Sequence, residues 1–221
     1  MFVKLTEANG TTNGGTVWGP GVKHCAQKKK SPLTAADLCS PFVIHYYADR
    51  YLAVLLNPAQ ANFKKPQGWE FIPEGQTCTD GLKCGAEGGM TIRRTPLPRF
   101  STLQKVAFGI FCGQSAFGGK SKAWDKWAGD WLSGKDRSEA AARAAAEAAW
   151  AAAWAARAAA RAAVEAAWAA GAAGAAWAAG AAGAAGAAWA ARAAACAAAW
   201  AARAAGADLN ALAIKAYRWK P

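Results

Sequence analysis

Six cysteines and two histidines are the side chains of this 221-residue sequence best suited to metal or nucleophile chemistry. Cys78 and Cys84 bracket CTDGLKC, Cys39 and His45 lie upstream, and His24 adjoins Cys25. Structural zinc sites pair their ligands two to four residues apart, and no such pair occurs, so no metal is expected. A glycine-turn hairpin that carries Cys78 and Cys84 is the simpler expectation. Cysteine or serine catalysis needs a histidine within reach of the nucleophile. Only His24 and His45 are available, and His45 stands in an apolar run, where a satisfied core histidine is the ordinary occupant. Cys112 falls on the apolar side of a helical pattern, which suits packing. No G-x-S-x-G, phosphate-binding glycine loop or paired-carboxylate motif occurs. The least weak catalytic set is His45, Asp49 and Cys112; no catalytic residue or cofactor is assigned.

Binding is the other chemistry the side chains offer. The formal charge of +12 comes from 26 Lys and Arg against 14 Asp and Glu, spread over the chain. Lys28, Lys29 and Lys30 form the one dense basic run, with Lys64, Lys65, Arg93 and Arg94 as smaller patches. A positive field draws nucleic acid, anionic membrane or acidic protein without choosing among them, and no nucleic-acid motif accompanies it. Trp124, Trp127 and Trp131 recur at three- and four-residue steps, so they share one helical face. That face either packs on the preceding domain or docks a partner.

The elements that would carry these residues fall into four regions. Residues 1–121 read as a small α+β domain. PFVIHYY and RYLAVLLN are rich in β-branched, aromatic and leucine residues and read as buried strands, the second ending at Asn57-Pro58. WEFIP and MTIRR are shorter apolar pieces between glycine-rich turns. In STLQKVAFGIFC, Leu103, Val106, Ala107, Ile110 and Phe111 repeat at helical spacing, and Ser101 with Gln104 has the form of a capping box. Residues 122–137 are the tryptophan-lined connector, broken by Gly134. Residues 138–206 form an alanine-rich tail, and 207–221 a short helix that Asp208 can cap, with Leu209, Leu212, Ile214 and Trp219 as its apolar surface.

Alanine has the highest helix propensity, so the tail is expected to be helical from Glu139. Arg143, Glu147, Trp150, Trp154, Arg157, Arg161, Val164 and Trp168 alternate steps of four and three and hold one face. From Trp168 to Arg192 every step is three, which winds the marker residues around the cylinder, and each glycine from Gly171 to Gly186 costs ~1 kcal/mol relative to alanine. A rod of ~100 Å or a hairpin bent in this glycine window are the two forms expected. The uncharged span from Ala166 to Ala191 is long enough to cross a bilayer but lacks Leu, Ile, Val and Phe, so membrane insertion is not expected. The opening MFVKLTEANG has no secretory pattern, and reduced thiols in a cytoplasmic setting are the default.

HYYADRYLAVLLNPAQANFKKPQGWE, TIRRTPLPRFSTLQKVAFGIFC and WAGDWLSGKDRSEAAARAAAEAAW resemble, over residues 38 to 150, a family of uncharacterised phage and bacterial proteins in which a small domain precedes an AAxAA-type tail. The resemblance implies a phage or prophage-type origin and a cytoplasmic or virion-associated location. It carries over neither an activity nor catalytic residues. The leading expectation is a non-enzymatic structural or interaction protein that self-associates or binds a protein partner. The alternatives are a basic protein for nucleic acid or anionic surfaces, and a small enzyme or metalloprotein of the front domain. No small-molecule substrate is evident.

Overall fold

The computed structural model describes residues 1–119, 121–138, 140–141, 199–200 and 202–220. The alanine-rich stretch 142–198, with the bend expected between Gly171 and Gly186, lies outside the described residues. The architecture expected, an α+β domain followed by a long alanine-rich helical tail, is overturned. The described residues form a mixed α/β protein with a five-stranded antiparallel sheet, four α-helices and a 3-10 helix, and no long helical tail is found among them. Helix propensity is a weak force per residue. The helices described here are short, closed by caps or by glycines at positive φ such as Gly134 and Gly206, and held by the faces they bury.

Two compact units divide the chain, Met1–Arg99 and Phe100–Pro221. In the first, β1 (Phe2–Thr6), β2 (Lys23–Cys25), β3 (Ile44–Tyr46), β4 (Gln67–Thr79) and β5 (Cys84–Thr95) make one sheet. Its order is β1-β4-β5-β2, with β3 also on β5. The expected segments WEFIP and MTIRR are the inner parts of the much longer β4 and β5. Val3 exchanges both backbone hydrogen bonds with Tyr47, at 2.9 and 2.8 Å, on the edge of β1 that β4 does not use. Hydrogen bonding therefore runs in a circuit from β1 through β4, β5 and β3 back to β1, which leaves β1 with no open edge along this stretch. Inside lies an aromatic cluster of Trp18, Tyr46 and Phe71 with Ile44 and Ala86. Gly89 lies against the Phe71 ring and the Ile72 carbonyl, so a Cβ there has no room.

RYLAVLLN departs from its strand expectation: Arg50–Gln60 is a helix, α1. The Asp49 carboxylate accepts from the Tyr51 and Leu52 amides and caps it. Leu52, Ala53, Leu55 and Leu56 are buried at helical spacing, and α1 packs on β1. The chain then turns at Asn62, whose φ is 53°. Asn57 stabilises this turn by donating to and accepting from the Phe63 backbone at 3.0 and 3.1 Å.

The second unit contains α2 (Thr102–Phe117), α3 (Lys122–Leu132) and α4 (Leu209–Arg218). Ser101 and Gln104 form the expected capping box on α2, and Asp208 caps α4. The buried face of α4 is Leu209, Ala213 and Ala216; Leu212 and Ile214 are only half buried. Small residues on that face let α4 lie close to α2, where the Gln104 side-chain amide donates to the Tyr217 carbonyl at 2.7 Å. Trp219 stacks on Trp131 with ring centres 5.7 Å apart, and the Arg137 guanidinium lies over both rings.

Candidate functional site

The sheet unit holds a lysine where the strand pattern calls for an apolar residue. Along β1, Val3 and Leu5 alternate with Phe2, Lys4 and Thr6. The second set faces the aromatic cluster: Phe2 meets Tyr46 edge-on, and Thr6 accepts from the Trp69 indole at 3.0 Å. Lys4 sits between them at 7% exposure. Its Nζ donates to the His45 carbonyl at 2.8 Å and stands 4.8 Å from the centre of the Trp18 ring. Burial pushes its pKa down from the ordinary 10.5 to about 7.

Lys4 opens on a cavity of about 630 Å³, which lies within the range of small-ligand sites. Val43, Ile44 and Phe63 supply apolar wall; His24, His45 and Lys83 supply polar groups. No aspartate or glutamate is among the described residues that line it. His24 packs edge-on against Trp18 at 4.6 Å and directs Nε2 to the Val17 carbonyl at 2.8 Å. His45 directs Nε2 to the Leu38 carbonyl; burial, first among the causes, holds its pKa below the usual value. A neutral ring that donates this proton fits both facts. The Lys4 amine lies over the face of the Trp18 ring, whose negative quadrupole favours a cation, while the buried Trp18 indole N–H has no acceptor among the described residues. The site is thus rich in donors and cationic groups and poor in anions, and its central amine has no carboxylate to balance it.

The residues singled out from the sequence have other duties. Trp124, Trp127 and Trp131 are buried, and Trp124 lies over Gly113 of α2, so this face is core of the second unit. Lys29 is tied to the Asp37 carboxylate at 2.7 Å, while Lys28 and Lys30 are exposed. Arg93 pairs with Glu70 at 2.8 Å, and Arg94 covers the Trp69 ring. Asp49 caps α1, and Cys112 is fully buried on α2. His45, Asp49 and Cys112 therefore all have packing or hydrogen-bonding roles. Cys78 and Cys84 lie in the β4–β5 hairpin, opposite Gly85 and Thr79 respectively, which puts their side chains on opposite faces. Both are free thiols whose pKa burial raises. Among the described residues no group of three His, Cys, Asp or Glu could hold a metal, and no helix is long and apolar enough to cross a membrane.

Sequence reasoning missed Lys4 and Trp18. FVKLT does carry a signal, a cation at an inward position of an otherwise apolar strand. Trp18 gives none, because it stands alone in a glycine-rich loop. The chain matches no protein-family model, no curated protein and no solved structure, so the site must be read from its own chemistry.

Proposed function

We propose that this chain is a non-enzymatic binding protein whose ligand enters the cavity beside Lys4. The observation that carries the reading is a buried amine facing a ligand-sized space with no acidic residue in its described lining. A buried amine with no carboxylate to balance its charge costs stability, and such a group is the mark of a functional position more than of a packing position. Catalysis has less support, because the His45 ring nitrogen, the Asp49 carboxylate and the Cys112 thiol are each engaged or enclosed. The nucleic-acid reading is weakened by the pairing of Lys29 and Arg93 with carboxylates. A phage or prophage origin rests on the resemblance over residues 38 to 150 alone.

Two-dimensional NMR of the full chain with a small set of neutral and charged fragments tests this. Saturable shifts gathered on Lys4, Trp18, His24 and Tyr47 are expected. Shifts absent from these residues for every fragment would refute it, and steeply salt-dependent binding to DNA or RNA at Lys28–Lys30 would favour the nucleic-acid reading instead.

A further inference from the structure

We infer that the ligand of this cavity is a small monocarboxylate with an apolar body, its carboxylate seated against Lys4 Nζ. This rests on the cavity being a binding site at all, and adds the chemical class. The walls set one half of that class: Val43, Ile44 and Phe63 offer an apolar guest the burial it gains by leaving water. The charge sets the other half. A single buried amine neutralises a single negative charge, and the other lysine of the lining, Lys83, reaches away to the Cys39 sulfur at 3.7 Å. A phosphate dianion would leave its second charge without a second buried cation to balance it. A neutral guest would leave the charge of the amine without a counter-ion, held only by the His45 carbonyl and the Trp18 ring face.

The Lys4 amine touches the His45 carbonyl and the Trp18 ring, and Trp69 stands opposite it on β4. The titratable groups that line the cavity with it are His45 from β3, His24 and Cys25 from β2, Lys83 from the β4–β5 turn, and Tyr47 from the chain after β3. None is a carboxylate. Among the described lining residues the incoming ligand therefore meets no competing anion, and it binds the protonated amine. With the free amine titrating at about 7, binding takes up a proton above that pH.

Titration calorimetry on the full chain with benzoate, benzyl alcohol and inorganic phosphate, in buffers of differing ionisation enthalpy, tests this. Benzoate is expected to bind at least tenfold more tightly than either other probe. Its affinity should weaken about tenfold per pH unit above about 7, with uptake of close to one proton at pH 8. Lys4→Met should abolish the preference for benzoate and leave benzyl alcohol binding in place. The wild-type proton uptake tests the claim independently of whether that variant folds. Benzyl alcohol or phosphate binding as tightly as benzoate, or benzoate binding without proton uptake, would overturn the carboxylate assignment and leave the cavity reading standing. Binding of none of the three would overturn both.

Discussion

Replacing Lys4 with Met should make the protein more stable at neutral pH, and the advantage should fade as the pH rises. In the fold, Lys4 is 7% exposed and its pKa is about 7, against 10.5 when unfolded. The folded pKa lies below the unfolded one, so the unfolded chain holds the extra proton between the two values, and stability rises with pH across that window. At ~1.4 kcal/mol per pH unit, the residue costs ~4 kcal/mol at pH 7 and ~2 kcal/mol at pH 9. Methionine keeps most of the buried methylene volume and removes this cost. It also removes the donor to the His45 carbonyl, and an unsatisfied buried carbonyl costs ~1–3 kcal/mol at any pH. The variant should therefore be more stable by ~2 kcal/mol at pH 7 and close to wild type at pH 9. Urea unfolding of both proteins at a series of pH values measures the difference, and the other titrating groups cancel between them. A difference that stays constant from pH 7 to 9 would refute the reasoning, whatever its sign.

Asn57→Ala should cost ~2–4 kcal/mol, because it strands both backbone groups of Phe63 in the interior; urea unfolding reads it. Gly113→Ala places a methyl 2.7 Å from Cζ2 of Trp124 and should cost ~1–3 kcal/mol through overpacking of α2 on α3, seen as a lowered Tm. Lys29, first among the causes, and the Thr34 amide hold the Asp37 carboxyl below its ordinary 3.8. Its contribution is thus complete above that value and is lost as pH falls through the folded pKa. Acid titration should show Asp37→Asn to be less stable than wild type at pH 6, with the two converging in strong acid.

The helical unit was the more legible part of the sequence, because its signals are local. Ser101 with Gln104, Asp208, and the three- and four-residue spacing of Trp124, Trp127 and Trp131 each mark a cap or a face, and each is found. RYLAVLLN misled because its apolar residues run together without an evident period. What decides for helix is the Asp49 cap and a place for Leu52, Leu55 and Leu56 against β1. The long helical tail was expected from propensity alone, and none is found among the described residues. The cavity was illegible for a further reason: Lys4, Trp18, His24, His45 and Phe63 are brought together by strand pairing across sixty residues of chain, and no spacing in the sequence encodes that. Only the inward-facing lysine of FVKLT could have raised the question.

The proposed site depends most on the state of one amine. NMR titration of the lysine side chains in the full chain, with Lys4 assigned by the resonance missing from Lys4→Met, measures it directly. Lys4 losing its proton at about 7, well below its ordinary 10.5, is the result expected. Lys4 titrating near its ordinary 10.5 would contradict the buried, unbalanced amine on which the proposed site is built.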